Sequence, residues 1–318
     1  MGTSKLRNGS SGKNGYGNML ARDFKRYKYL YIMIFPVILY YFIFHYLPMA
    51  GNIMAFQDFS FMKGIFGSKW VGFDNFMDFL TSPYRDRVIR NTLLLNIIGL
   101  IFVFPTPIIL AMFLNEIRHN FFKRSVQTIS YLPYFISTVV IAGMIMNFTS
   151  QDGFVTYIVK WITGFDGSLN LLTKPQWFRS IYIVSDMWQF SGFDSIIYIS
   201  AISGINPELY EAATIDGAGR WKQAIHITLA GISSTILMLL ILRVGGMMSV
   251  GFEKVFLLYN PAIYETSDVI STYVYRQGLE AGQYSYSAAV GLFNSVINFV
   301  FLLAANKISK KVANVGLF

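Results

Sequence analysis

The 318-residue chain contains no cysteine, which excludes a disulfide framework and any thiolate metal site. Its three histidines, His45, His119 and His226, are widely separated, and no His-Glu-x-x-His segment is present to hold zinc on a helix. A Gly-x-x-x-x-Gly-Lys-Ser/Thr phosphate cradle is missing, and so is a Gly-x-Ser-x-Gly nucleophile turn. Gly64, Gly67 and Gly72 are loop glycines without the strand and helix of a dinucleotide fingerprint. No catalytic residue, metal or cofactor is therefore expected, and any ATP-driven step must occur on another chain. Charge is scarce as well. Charged residues are 14% of the chain against 54% hydrophobic ones, more apolar surface than one soluble domain could hide. The composition predicts an all-α integral membrane protein.

Six apolar runs reach the ~20 residues needed to span a bilayer. They cover about Tyr29–Ala50, Ile89–Leu114, Val126–Phe148, Phe178–Ala201, Ile227–Val250 and Tyr286–Asn306. The first is too long and too aromatic for a cleaved signal peptide and reads as a retained span, bent at Pro36. Pro105 and Pro107 each remove a backbone donor and predict a kink in the second. The expected domains are a basic tail at 1–28, a six-span body at 29–306 with a loop at 202–226, and a C-terminal tail at 307–318.

The formal net charge of +9 could suggest nucleic acid, but its distribution follows membrane topology. With the N-terminus inside, the cytoplasmic segments carry fifteen Lys and Arg, among them Arg118, Lys123, Arg124, Arg220 and Lys222, against five acids. The outer loops carry eight, including Lys254 and Arg276, against ten acids. Both termini and the 202–226 loop are therefore expected in the cytoplasm of a multi-pass protein, with lipid around it and no nucleic acid partner.

The cytoplasmic loop between the fourth and fifth runs reads Glu211-Ala212-Ala213-Thr214-Ile215-Asp216-Gly217-Ala218-Gly219. Pro207 suits the first turn of a short helix, with Asn206 as its N-cap and Glu208 near its positive end. Ala212, Ala213, Gly217 and Gly219 keep the surface shallow enough for a partner's backbone, and Gly217 permits a sharp turn. Glu211 is the charge offered to a partner, and Asp216 is expected to cap the next helix.

This stretch, continued by Ile227-Thr228-Leu229, resembles the EAA loop of permease subunits of binding-protein-dependent ABC importers. Ile215-Asp216-Gly217-Ala218 has the form found in carbohydrate permeases, and Trp70-Val71-Gly72-Phe73-Asp74-Asn75-Phe76 resembles the stretch before their second span. Ala230 stands where the family pattern usually has proline, which leaves open the angle at which the fifth span begins. The resemblance is to a MalF/LplB-type permease of the LplB-like polysaccharide branch. It implies a type I ABC importer permease fold in a bacterial inner membrane. It also implies a second permease subunit, two cytoplasmic ABC ATPase subunits, an extracytoplasmic solute-binding protein and a carbohydrate substrate, with the EAA segment as coupling helix. The alternatives are an importer for another solute or, from a different class, an autonomous secondary transporter or channel, which needs no docking helix.

Polar groups within spans are costly and mark either packing or a pathway. Asp186 lies roughly 12 Å below the outer end of the fourth span and Arg243 roughly 10 Å below that of the fifth, at 1.5 Å per residue. The similar depths allow a salt bridge, serving either neutralisation or the pathway. Trp188 and Gln189 suit sugar stacking and hydroxyl contacts, against a plain packing role. Asn294 shares a helix face with Asn298, for the pathway or for interhelical bonding.

Overall fold

A computed structural model describes residues 26–317. The chain divides into two compact units, residues 1–53 and 54–318. The first unit, over its described residues, is one apolar helix. It comprises α1 (Lys28–Tyr41), which stays helical through Pro36, a π turn at Phe42–Tyr46 and a further turn at Leu47–Met49. The irregularity falls just ahead of Pro48, which cannot donate to the preceding turn. Most of the expected basic tail lies outside the described residues.

The second unit is almost entirely helical. Its only sheet among the described residues is the short antiparallel ribbon β1 (Gln57–Asp58) and β2 (Lys69–Trp70). The helices that matter for function are α2 (Asp74–Thr81), α3 (Arg85–Phe102), α4 (Pro105–Glu116), α5 (Asn120–Tyr131), α6 (Thr138–Thr149), α7 (Phe154–Thr163) and α8 (Pro175–Ser203). They are followed by α9 (Pro207–Ile215), α10 (Arg220–Gln223), α11 (Ser233–Gly245), α12 (Phe252–Leu258), α13 (Ile270–Tyr275) and α14 (Tyr284–Ala313).

Among the described residues, three stretches are long and apolar enough to cross a membrane unaided: Lys28–Phe56, Arg85–Glu116 and Tyr284–Ala313. The second is interrupted at Val103–Phe104, where the Phe104 amide reaches back to the Gly99 carbonyl before Pro105 restarts the helix. Proline at the first helical position needs no donor, so the break falls where its ring requires it. The last helix runs beyond Asn306 to Ala313, through the boundary expected for the C-terminal tail.

The expected third and fifth spans are bent pairs, not straight rods. Asn120–Phe135 meets Thr138–Thr163 at 98°, with Pro133 in the connecting turn and Ser137 capping α6 through the Val140 amide. Arg220–Leu229 meets Ser233–Gly245 at 59°. The second bend occurs without the family's proline. A π turn at Ala224–Leu229 precedes it, and Ile205 packs so closely on Gly231 that a Cβ there would lie 2.6 Å from its Cδ1.

The fourth expected span is α8, 29 residues long but interrupted by Asp186, Gln189, Asp194 and several serines. Its buried positions, from Phe178 and Tyr182 through Asp186, Gln189, Ser195 and Ile202, recur at helical spacing, so the polar stripe faces protein and not lipid. Gly192 lets α5 cross this stripe at contact distance: a Cβ there would stand 1.9 Å from the Ser130 carbonyl oxygen. Around α8 one core joins Leu95, Phe178, Tyr182, Val255 and Ile263, and another joins Ile108, Ala111, Tyr198, Ile202 and Ile232.

The segment between α12 and α13 is clasped to α3 and α8 around one carboxylate. Asp268 is fully buried and accepts from Arg87 Nη2 at 2.6 Å and Arg276 Nη2 at 2.8 Å. Asn91 donates to the Asp268 and Glu265 carbonyls while accepting from Arg179, which ties in α8. Burial by itself would lower the Arg276 pKa, but the Asp268 carboxylate, with Tyr264 and Tyr259 adding to it, holds the guanidinium above its ordinary value.

Candidate functional site

The turn around Glu211 is built as its sequence predicts, beginning at Pro207. Asn206 Oδ1 accepts from the Glu208 amide at 3.1 Å and its Nδ2 donates to the Glu208 carboxylate at 3.1 Å, which closes the N-terminus of α9. The C-terminus closes in a Schellman motif: the Ala218 amide donates to the Ala213 carbonyl at 2.8 Å and the Gly217 amide to Thr214 at 3.1 Å. Gly217 supplies the left-handed backbone this requires, at φ +77°.

None of the nine residues of α9 is buried. Glu211 is exposed and forms no ion pair among the described residues. Ala212 and Gly219 are exposed beside it, Ala213 is half-buried, and Ile215 adds an apolar edge that is 87% exposed. One expectation changes. Asp216 is itself the C-cap residue of α9, and the N-cap of α10 is Gly219, so the Asp216 side chain caps nothing and stands free on the exposed surface.

Sequence reasoning did not find what braces the turn. Gln223 Nε2 donates to Thr214 Oγ1 and to the Ala218 carbonyl, each at 3.0 Å, locking α10 against the end of α9. Thr214 in turn donates to the Tyr210 carbonyl at 2.8 Å, and the Tyr210 hydroxyl meets Thr228 Oγ1 at 3.0 Å. Thr228 lies in the π turn that opens the fifth span, so α9, α10 and the start of that span form one hydrogen-bonded block. The i, i+4 spacing of Tyr210 and Thr214 was visible in the sequence, but the partner eighteen residues away was not.

Among the residues expected to line a pathway, Asp186 and Arg243 face a common cavity of about 400 Å³. Asp194, Glu253, Lys254, Tyr182 and Phe190 share its wall. The expected bridge between Asp186 and Arg243 is not formed. Asp186 Oδ1 instead accepts from Lys254 Nζ at 2.6 Å, and both residues are buried. Lys254 reaches this depth because the fifth span ends early. The helix stops at Gly245, Asn298 accepts from the freed Met248 amide at 2.8 Å and donates to Ser249 Oγ at 2.9 Å, and α12 follows directly, with Lys254 on its buried side.

Trp188, Gln189 and Asn294 are not on this wall. Trp188 lines a separate apolar cleft with Met144, Ile145, Trp177 and Val184, on the other side of α8 from Asp186. Gln189 Oε1 and Asn294 Oδ1 are buried without a hydrogen-bond partner among the described residues. The cavity itself offers three carboxylates, two cations and aromatic faces, a lining suited to a hydroxyl-rich solute.

A helical membrane body with broken spans and an exposed, doubly capped turn between two of them is the architecture of a membrane transport subunit. Residues 103–314 match the family described as "Binding-protein-dependent transport system inner membrane component", and the chain belongs to that family. The chain is 43% identical over 295 residues to protein LplB of Bacillus subtilis (strain 168), covering 92% of each. It is 42% identical over 292 residues to the polygalacturonan/rhamnogalacturonan transport system permease protein YteP of the same organism, covering 92% of this chain and 90% of that one. Among solved structures, a chain of a bacterial alginate ABC transporter in complex with an alginate pentasaccharide-bound periplasmic protein superposes with a TM-score of 0.85. It shares 45% identity, with 93% of this chain and 99% of that chain covered.

Proposed function

We propose that this chain is the membrane permease subunit of an ATP-driven importer of oligo- or polysaccharides, forming half of the translocation pathway with a second permease. Relatives named for polygalacturonan/rhamnogalacturonan and arabinooligosaccharide transport support the substrate class. Two separate cytoplasmic ATPase subunits supply the energy and an extracytoplasmic solute-binding protein delivers the sugar. Both termini and the α9 turn face the cytoplasm, as the distribution of Lys and Arg supports. The six-span body at 29–306, with its coupling loop at 202–226, carries the transport function between a basic N-terminal tail and a short C-terminal one.

The observation that carries this reading is the α9 turn. It is capped at both ends, has no buried residue, and is hydrogen-bonded to the start of the fifth span. An isolated loop of such construction has no packing function of its own. As a coupling helix gripped through Glu211, Ala212, Ala213, Asp216, Gly217 and Gly219, it transmits ATPase closure to α11, and the cavity at Asp186 and Arg243 changes its access. The experiment is reconstitution with the ATPase subunits. Glu211→Lys and Gly217→Asp should abolish stimulated ATP hydrolysis and uptake while leaving insertion and folding intact. Normal uptake in both variants would reject the coupling role.

A further inference from the structure

A cleft of about 350 Å³ lies between the C-terminal half of α4 and the start of the fifth span, lined by Ile109, Met112, Phe113, Glu116, Arg220 and Trp221 together with Ala224. Its chemistry is graded. Ile109, Met112 and Phe113 form an apolar wall one to two turns long, on a stretch long and apolar enough to cross the bilayer. Glu116 and Arg220 stand at the end where that apolar stretch finishes, with Trp221, 73% exposed, beside them. A tryptophan flanked by charges at the end of a span is the composition of a membrane interface.

Glu116 and Arg220 do not pair with each other, nor with any other charged group among the described residues. One acid and one base of the same cleft are thus each left without a counter-ion. Glu116 also occupies the last turn of α4, where the carbonyl end of the helix favours a cation. We propose that this cleft is a binding site for phosphatidylethanolamine. The headgroup ammonium is held by Glu116 and the α4 C-terminus, the phosphate by Arg220, and the first part of one acyl chain lies along Ile109, Met112 and Phe113.

A phosphatidylglycerol headgroup would place its phosphate on Arg220 but bring no positive charge to the Glu116 carboxylate. A choline headgroup would offer Glu116 no N–H donor. The site therefore discriminates on charge and hydrogen bonding together. It adjoins the segment that braces the α9 turn, since Arg220 opens α10 and Gln223 closes it.

Native mass spectrometry of the assembled transporter, released from membranes and offered phosphatidylethanolamine, phosphatidylcholine and phosphatidylglycerol in equal amounts, tests the assignment. The wild-type complex should retain phosphatidylethanolamine several-fold over the other two. Glu116→Gln should move the preference toward phosphatidylglycerol, Arg220→Gln should lower retention of both, and Met112→Trp, which fills the apolar wall, should lower all three. Unchanged unfolding midpoints in lipid-free detergent show that the variants fold. Equal retention of the three lipids by the wild type, or a wild-type pattern in Glu116→Gln and Arg220→Gln, would overturn the proposal. So would retention by the isolated chain that vanishes in the complex, which would mean that a protein partner covers the cleft. None of these readouts depends on ATP hydrolysis, so failure here is distinguishable from failure of the coupling assignment.

Discussion

Lys254 Nζ lies 2.6 Å from Asp186 Oδ1, and the side chains of both are almost closed to solvent. The lysine comes from a short helix that follows the fifth span, and the aspartate from the 29-residue helix α8. The pair therefore joins the segment after the fifth span to the wall of the cavity that Arg243 also lines. Removing one member leaves the other as an uncompensated buried charge, which is the costly state, whereas removing both is far milder.

Lys254→Met and Asp186→Asn should each destabilise the solubilised protein, while the double variant should recover much of the loss. A double-mutant cycle on thermal or denaturant unfolding should give a coupling energy of about 0.5–3 kcal/mol. Strict additivity would show that the two side chains do not act as a pair.

Arg243 faces the same cavity without an ion-pair partner among the described residues, and a Cβ on Gly99 would lie 3.2 Å from its Nη2. Arg243→Ala should therefore lower uptake with little effect on the unfolding midpoint. Unchanged uptake kinetics would remove it from the pathway.

Tyr210 is the side-chain link from the α9 turn to the π turn of the fifth span. Tyr210→Phe deletes only the hydroxyl. Stimulated ATP hydrolysis should persist, while sugar moved per ATP falls several-fold, and Thr228→Val should do the same. The double variant should be no worse than either single one. Equal transport stoichiometry in all three would deny the bond a coupling role.

Gly192 brings α8 against the Ser130 carbonyl of α5 with no room for a Cβ. An added methyl there meets main chain, which cannot rotate away as a side-chain tip can. Gly192→Ala should cost about 1–3 kcal/mol of stability, read as a lowered unfolding midpoint. A wild-type midpoint would show that α5 and α8 can separate freely.

Asp268, buried beneath Arg87 and Arg276, should be among the least replaceable residues of the segment between α12 and α13. Asp268→Asn keeps the shape but leaves two partly buried guanidinium groups without their counter-ion. A loss of about 3–5 kcal/mol is expected, with protease nicking between α12 and α13 as a second readout. Resistance equal to the wild type would contradict its role as a clasp.

Composition and hydropathy by themselves established a membrane protein made of helices, and capping chemistry placed the start of the α9 helix at Pro207 and its turn at Gly217. These features were legible because their causes are local. Apolar length, a proline at the first turn, an asparagine before it and a glycine that must adopt positive φ each act within a few neighbouring residues. What the tertiary structure decided was everything set by partners distant in the chain. Asp186 and Arg243 have matching depths, yet depth cannot reveal that Gly245 ends the fifth span early and that α12 brings Lys254 to the carboxylate first. The 98° and 59° bends, the Gln223 brace and the Tyr210–Thr228 bond likewise depend on packing between segments, because a backbone or side-chain polar group freed at one point is satisfied wherever the fold supplies a partner.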